Sequence, residues 1–311
     1  MDRRRDWRLP EALRGASYAL GNFDGVHLGH AHVLRVAHGG RPDVPRAVLT
    51  FDPHPRELFR PDDPPFRLQG ADERAAALAA HGVDLLVEIP FDARFAALSA
   101  EAFVSEVLHG GLGAAHLACG PDFAFGHRRG GDVAFLARRA EALGMGLTVV
   151  PPLADAQGPI SSSRIRRLLQ DGYPERAAAE LGRPWEITGE VQHGDERGRL
   201  LGFPTANVPL GRHLEPARGV YAVTALLPGG ERVGGVANVG RRPTIAEGLE
   251  SRIEANLFDW EGDLYGQTVG IAFHAFLRPE QKFAGLDALK QQIAEDAASA
   301  RAVLDRARPS P

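Results

Sequence analysis

Residues 21–30 read GNFDGVHLGH, and this stretch decides how the first half of the chain folds. It lies between an apolar run at 17–20, predicted to be a buried strand, and a helical stretch at 30–37. A glycine-containing turn of this kind points the first N–H groups and the positive dipole end of the helix at a bound anion. His27 and His30 share one face of the first helical turn and can donate hydrogen bonds to a phosphate. The stretch therefore predicts a nucleotide-phosphate site, with capping and packing histidines as the alternative.

Short apolar runs and helical stretches continue to alternate up to about residue 150. The predicted strands are 17–20, 47–51, 85–89, 114–119 and 147–150, and the predicted helices are 30–37, 71–81, 100–108 and 133–143. This order predicts an α/β unit with a parallel sheet and right-handed crossovers. Ligands of such sheets bind beyond the carboxyl ends of the strands, so the loops at 21–30 and 50–55 are expected at one edge.

A second pattern begins near residues 182–184, which read GRP. Short strands now follow one another without helices between them, at 185–191, 219–227, 231–239, 253–258 and 268–277. The PGG sequence at 228–230 predicts a hairpin turn. We therefore expect a small antiparallel β-barrel closed by a helix at 285–308, and we divide the chain into domains 1–183 and 184–311.

Composition narrows the possible classes of protein. The 311 residues carry a formal net charge of −4, which does not indicate a nucleic-acid partner. No apolar run reaches the length of a membrane span or signal peptide, so no membrane partner is expected. Cys119 is the single cysteine, ends the apolar run 114–119 and is expected to be a packed thiol in a cytoplasmic protein. Lys282 and Lys290, the only lysines, do not stand in a Walker phosphate loop.

A second motif lies at 202–207, which reads GFPTAN. On an extended strand the side chains of Thr205 and Asn207 face the same way, and their oxygens suit a Mg²⁺ ion already bound to nucleotide phosphates. Residues 189–199, which include Gly194, read as a flap over phosphates. The alternatives are a strand edge with a turn for the motif and an exposed charged hairpin for the flap.

Several segments together resemble the bifunctional riboflavin kinase/FMN adenylyltransferases, or prokaryotic FAD synthetases. They are 21–30, 50–55 (TFDPHP), 120–126 (GPDFAFG), 160–166 (ISSSRIR) and 204–207 (PTAN). The match extends from about residue 17 to 305. It implies a Rossmann-like nucleotidylyltransferase sheet followed by a riboflavin kinase-like barrel. It also implies two reactions: riboflavin and ATP give FMN, and FMN with a second ATP gives FAD and pyrophosphate, with Mg²⁺ in both.

The resemblance also assigns residues to the adenylyltransferase site. His27 and His30 would contact the phosphates of ATP, and Arg164 would bind the leaving pyrophosphate. The other expected members of this site are Asn22, Asp24, His54, Asp122, Phe123, Ser161, Ser162 and Ser163. The serines could equally cap a helix, and the phenylalanine could belong to the core.

In the second half, the resemblance implies that Glu254 is the catalytic base of the kinase, and that Thr205 and Asn207 bind Mg²⁺-ATP with Gly194 in the flap. An edge-strand carboxylate facing water is the alternative for Glu254. Residues 240–244 and 264–266 are expected to be loops that shape the site. Two other functions remain open: a nucleotidylyltransferase for another substrate with the barrel as a binding module, and a flavin-binding regulator without catalysis. The expected partners are small molecules only, and the oligomeric state is not predicted.

Overall fold

The structure is a computed structural model that describes residues 1–193, 205–244 and 248–307. The chain forms two compact units. The first contains residues 1–63 and 71–161, and the second contains 64–70 and 162–311.

The first unit is built on a parallel sheet of six strands. Their spatial order is β1-β4-β3-β2-β5-β6. The strands are β1 (Asp2–Arg4), β2 (Ser17–Leu20), β3 (Arg46–Asp52), β4 (Leu85–Pro90), β5 (His116–Cys119) and β6 (Gly146–Val149). All pairings are parallel, as the alternation of strands and helices predicted. The N-terminal strand β1 was not predicted, because its three residues are all polar or charged.

Helices cover both faces of this sheet. They are α1 (Leu28–Gly40), α2 (Pro55–Phe59), α3 (Ala71–Ala80), α4 (Ala93–Ala96), α5 (Ala100–Ala102), the π-helical segment Phe103–Gly111, and α6 (Val133–Ala142). Helices α1 and α3 bury one apolar cluster, and the π-helical segment and α6 bury a second. The predicted helix at 100–108 is thus two segments, one of them π-helical. The short strands β7 (Ala154–Asp155) and β8 (Gly158–Pro159) form a hairpin.

The second unit is a nearly closed antiparallel barrel. Its strands are β9 (Trp185–Glu190), β10 (Ala206–Pro209), β11 (Gly219–Leu226), β12 (Arg232–Thr244), β13 (Gly248–Leu257) and β14 (Thr268–Pro279). The order is β10-β13-β12-β11-β14-β9, and a bridge between Gln192 and Asn207 links the two ends. The hairpin turn at 228–230 is confirmed between β11 and β12. The segment 240–244, which was expected to be a loop, instead continues β12 by pairing with β13.

Among the described residues of the second unit, the helices that accompany the barrel are α7 (Ser162–Gln170), α8 (Pro174–Leu181) and α9 (Leu286–Ala307). Apolar side chains of α7 and α8 join the barrel core around Trp185, Tyr221 and Phe273. The segment 64–70 joins the same core, because Leu68 is fully buried and its carbonyl accepts a 2.8 Å hydrogen bond from the indole Nε1 of Trp185. Helix α9 closes the outer face of β11 and β12, as predicted.

Candidate functional sites

The loop at 21–30 lies at the point where the order of the first sheet reverses. Strand β2 has β3 on one side and β5 on the other, and the chain visits them in that order. The loops that follow β2 and β5 therefore leave the sheet together at its carboxyl edge, which is where open α/β sheets bind their ligands. Strand β3 is the parallel neighbour of β2, so the loop after it leaves at the same edge. The expected convergence of 21–30 and 50–55 on one edge is thus confirmed.

The backbone of this loop is strained, and buried side chains hold it in place. Phe23 and Val26 have φ angles of 50° and 40°, a region that non-glycine residues avoid, and Gly25 has a φ of 95°. Such residues cost on the order of 1–3 kcal/mol each. The side chains of Phe23 and Val26 are 1% and 0% exposed in the apolar cluster beneath α1. Burial of a large apolar side chain contributes about 1.5–3 kcal/mol, which offsets the strain.

The two histidines form a reciprocal cap at the start of α1. Nδ1 of His27 accepts from the backbone N–H of His30 at 3.2 Å, and Nδ1 of His30 accepts from the N–H of His27 at 3.3 Å. Their rings stack with centroids 3.7 Å apart. Because each Nδ1 is an acceptor, the proton of each neutral ring is on Nε2. In this geometry the histidines cap the helix through Nδ1 and can also donate to a ligand through Nε2–H.

Gly29 is the residue that makes this stacking possible. A Cβ at position 29 would lie 2.9 Å from Cε1 of His27 and 3.0 Å from the carbonyl oxygen of Ile160. Both distances are at or below the closest that real Cβ contacts reach, so only glycine lets the ring and the chain at Ile160 approach the helix.

The remaining predicted residues of the first unit lie on the loops after β2, β3 and β5. Asp24 is buried, with 4% of its surface exposed, whereas the side chain of Asn22 is exposed. His54 caps α2, because its Nδ1 accepts from the N–H of Arg56 at 3.1 Å. Its position after β3 is the expected one, and the cap is an additional role.

The loop after β5 carries the residues expected near the flavin. Asp122 is exposed, and Phe123 is half-buried and stacks on Phe125 with centroids 5.5 Å apart. Phe125 belongs to the core. Cys119, just before this loop, is fully buried, and burial together with the nearby Asp122 carboxylate raises the pKa of its thiol to about 11. The prediction of a packed thiol is confirmed.

Ser161, Ser162 and Ser163 lie where α7 begins, as predicted from a helix start. Ser161 is the last residue of the first unit, and Arg164 belongs to the second. There the guanidinium Nε of Arg164 is 2.6 Å from Oε1 of Glu180, which is buried at the end of α8. Arg164 is therefore held by an ion pair that the sequence did not indicate.

In the barrel, three polar side chains form a row across adjacent strands. Asn207 on β10 is the register partner of Glu254 on β13, and Glu254 is also the partner of Asn238 on β12. The alternate positions, which include Ile253 and Ala255, face the barrel core, so the row lies on the outer face. Asn238 was not predicted, because nothing in the local sequence indicates strand register. It donates through Nδ2 to Oε1 of Glu280 at 3.3 Å.

The amide oxygen of Asn207 lacks a donor in the part of the chain that the structure describes. Its Nδ2 donates to the backbone carbonyl of Thr205 at 3.3 Å, which orients the group. Asn207 is 5% exposed, and its Oδ1 is buried with no hydrogen-bond partner among the described residues. A buried carbonyl oxygen without a donor is costly, and a hard cation or a ligand N–H would satisfy it. The residues present therefore fit a Mg²⁺ ion at this position.

Two further observations concern the predicted sites. Gly194 and the part of the flap that follows it lie outside the described residues. Within residues 1–193, 205–244 and 248–307, no group of three or more His, Cys, Asp or Glu side chains could hold a metal ion. A metal in this part of the chain would need oxygen ligands such as Asn207 and the substrate phosphates.

Two family models match the chain. The FAD synthetase model covers residues 9–164, and the riboflavin kinase model covers residues 181–304. The first includes the loop at 21–30, and the second includes Asn207 and Glu254.

Curated relatives match over nearly the whole chain. The bifunctional riboflavin kinase/FMN adenylyltransferase of Escherichia coli (strain K12) is 42% identical over 95% of both chains. The proteins of the same description from Pseudomonas fluorescens and Bacillus subtilis (strain 168) are 41% and 38% identical, over 93% and 89% of both chains.

The crystal structure of a macrolide-efflux protein from Streptococcus pneumoniae has the same fold, with a TM-score of 0.86 and 32% identity. The match covers 96% of this chain and 98% of the Streptococcus pneumoniae chain. None of the helices in the described ranges is both long and apolar enough to cross a membrane.

Proposed function

The chain belongs to the family of bifunctional riboflavin kinase/FMN adenylyltransferases, and we propose that its two reactions take place at two sites, one near His27 and His30 and one near Glu254. The enzyme phosphorylates riboflavin to FMN and adenylylates FMN to FAD. The observations that support the proposal are the reciprocal cap of His27 and His30 at the start of α1 and the pairing of Asn207 with Glu254 in the barrel. We propose the division at residue 183 for the activities, with FMN adenylylation in 1–183 and riboflavin phosphorylation in 184–311.

At the adenylyltransferase site, the attacking phosphate of FMN is already an anion, so the protein need not supply a nucleophile. Its task is to align FMN with the α-phosphorus of ATP and to reduce the charge repulsion between them. The Nε2–H groups of His27 and His30 are proposed as donors to the phosphates of ATP. The first N–H groups of α1 add a positive dipole end at the same place. The donor role of the two histidines is supported by the reciprocal cap, which sets the tautomer of both rings.

The other residues of this site are assigned by position. Asn22 and Asp24 shape the phosphate loop, and His54 lies on the loop that follows β3. Asp122 and Phe123 are proposed to contact the isoalloxazine ring, through a polar group and an aromatic face. Arg164 is proposed to bind the leaving pyrophosphate, together with the serines at 161–163.

At the kinase site, Glu254 is proposed to orient and deprotonate the ribityl hydroxyl that attacks the γ-phosphorus. Thr205 and Asn207 are proposed to hold Mg²⁺-ATP, with Gly194 in the flap. When bound, Mg²⁺ neutralises charge on the phosphates. The support for this arrangement is the register of β10 and β13, which makes Asn207 the direct neighbour of Glu254. The Oδ1 of Asn207, for which the described residues supply no donor, supports it as well. The location in the cytoplasm stays a prediction.

A time course tests the proposal. The pure protein is incubated with riboflavin, ATP and Mg²⁺, and flavins are separated by chromatography; FMN is expected first and FAD second. His30→Ala should abolish FAD while FMN accumulates. Glu254→Gln should stop FMN formation but leave supplied FMN convertible to FAD. The matched controls are His32→Ala on the same helix and Glu261→Gln on an exposed loop.

The outcomes separate the alternatives. FMN as the sole product would mean that the first unit is idle, and no product would support a flavin-binding regulator. If His30→Ala removed both activities in a folded protein, the two-site division would be wrong. For the metal, Asn207→Ala should raise the Mg²⁺ concentration that half-saturates riboflavin phosphorylation. Conversion of supplied FMN to FAD by the same variant is the internal control.

A further inference from the structure

A buried ion pair lies beneath the phosphate loop of the first unit. Arg74 on α3 and Glu88 on β4 are 3% and 1% exposed, and Nη2 of Arg74 is 2.7 Å from Oε1 of Glu88. The other oxygen of Glu88 accepts from the Nε of Arg3 on β1. Charged side chains this deeply buried are rare, and they persist only when they are paired. Neither Arg74 nor Glu88 belongs to a motif that the sequence indicated.

The pair is connected directly to the loop. The carbonyl oxygen of Asn22, the second residue of the loop, accepts from Nη1 of Arg74 at 3.4 Å and from Oγ1 of Thr50 at 3.1 Å. Thr50 is the register partner of Glu88 on the adjacent strand, so both side chains rise from the same face of the sheet. Hydrogen bonds thus connect Glu88 on β4 through Arg74 to the backbone carbonyl of Asn22.

The composition of this network indicates what it does. Two guanidinium groups face one buried carboxylate, and the remaining acidic partner, Asp72, has a side chain that is 94% exposed. Arg3 is itself exposed, so the buried part of the network is the charge-balanced pair of Arg74 and Glu88, and its hydrogen bonds rather than a net charge act on the loop. The buried Nε of Arg74 has no hydrogen-bond partner among the described residues. The two Nη groups of Arg74 thus join Glu88 to the loop, and this orientation leaves Nε without an acceptor among the described residues.

We propose that Arg74 is a positioning residue for adenylyl transfer: held by Glu88, it fixes the backbone of the phosphate loop at Asn22 and so sets the affinity for ATP. The inference rests on the proposed function of this loop. Arg74 itself is too deeply buried to touch the nucleotide. It acts through the loop, whose strained residues follow directly after Asn22. Loss of the anchor should let these residues relax and move the N–H groups and histidines away from the phosphates.

The test measures the KM for ATP and the kcat of FAD formation from supplied FMN. Arg74→Met, which keeps most of the volume but removes the charge and the fork, should raise the KM for ATP about tenfold or more and leave the KM for FMN unchanged. Arg74→Lys, which restores the charge without the fork, should recover part of this loss. Arg94→Met, at an exposed arginine of the same unit, is the matched control and should change neither value.

Riboflavin phosphorylation by the same preparations shows that the remaining chain is folded. A purely structural role would lower kcat with the fraction of active protein and would not move the KM for ATP, so that result would overturn the inference. If Arg74→Met fails to fold, Glu88→Gln decides, because its amide oxygen still accepts from Arg74 while the charge and the second acceptor, which faces Arg3, are removed. An unchanged KM for ATP in Glu88→Gln and Arg74→Lys would then refute the inference. A wild-type protein that forms no FAD would instead refute the proposed function.

Discussion

At the scale of single residues, the spacing of two histidines around a glycine has a specific structural reason. The rings of His27 and His30 stack and cap each other's backbone, and Gly29 stands between them where a side chain would collide. The same glycine admits the carbonyl of Ile160, which lies far away in the sequence. One missing Cβ thus allows two close approaches to the start of α1, one by the ring of His27 and one by the chain at Ile160.

Gly29→Ala should therefore impair the adenylyltransferase selectively. The new Cβ would have to displace either the ring of His27 or the chain at Ile160, and the reciprocal cap would be lost. We expect FAD formation from FMN to fall at least about tenfold, in line with the effect of small displacements of reacting groups. Riboflavin phosphorylation should stay close to wild type. The two rates are measured separately with supplied FMN and with riboflavin.

The matched control is Gly39→Ala, at the other end of α1. A Cβ at position 39 would meet nothing within 4 Å. This variant should keep both activities and gain slightly in helix stability. Equal losses of FAD formation in the two variants would show that the contacts of Gly29 are unimportant.

At the scale of the element, a buried histidine ties three strands of the first sheet together. Nδ1 of His116 on β5 lies 2.9 Å from Oγ of Ser17 on β2, and its Nε2 lies 2.9 Å from Oγ1 of Thr148 on β6. Ser17 donates its own proton to the carbonyl of Ala37 at the end of α1. His116 must then donate through Nδ1, and in the neutral ring Nε2 accepts from the hydroxyl of Thr148. Burial of the ring favours this uncharged form.

Stability of the first unit should consequently fall in weak acid. Burial lowers the pKa of His116, and the positive charge of Arg41 lowers it further. The unfolded chain takes up a proton near the ordinary histidine pKa of about 6.5, whereas the folded chain does so only at lower pH. The stabilisation is therefore complete above that range and is lost as pH falls through it. The free energy of unfolding, obtained from denaturant titrations at about half-unit steps between pH 7.5 and pH 5, measures this effect.

His116→Gln should be less stable than wild type at neutral pH and should show a smaller loss of unfolding free energy on acidification. Part of the pH dependence should remain, because burial and the charge of Arg46 also lower the pKa of His38. His127→Gln, at an exposed histidine of the same unit, is the control and should keep the wild-type slope. An identical slope in His116→Gln and wild type would contradict this account.

At the scale of the whole molecule, the compact units do not follow the change in sequence pattern. The pattern changes near residue 183, where short strands replace the alternation of strands and helices. The second unit nevertheless includes α7, α8 and the segment 64–70. The apolar side chains that they add to the barrel core are Leu68, Ile165, Leu168, Leu169, Ala177 and Leu181. The barrel therefore needs chain from both sides of the boundary to complete its core.

A fragment of residues 162–311 should accordingly be more stable than a fragment of residues 184–311. Four large side chains of α7 and α8 would be missing from the shorter one, and each contributes about 1.5–3 kcal/mol of burial. That sum is comparable with the whole stability of a typical domain, about 5–15 kcal/mol. Thermal unfolding followed by circular dichroism, with riboflavin phosphorylation as a second readout, compares the two fragments. Equal melting temperatures would show that the barrel is complete without these helices.

The sequence by itself determined the parallel α/β sheet followed by an antiparallel barrel, and the positions of the two motifs, but not β1, α8 or the extension of β12 over 240–244. The features it determined are local properties: apolar periodicity separates strands from helices, and strand-to-helix turns with glycine and histidine are visible within ten residues. Tertiary structure alone decided what joins the motifs to the rest of the molecule. Asn207 meets Glu254 through strand register, Ile160 requires Gly29, and Arg74 supports Asn22 from below. Such contacts join residues far apart in the chain, and their geometry depends on packing and pairing that no local pattern encodes.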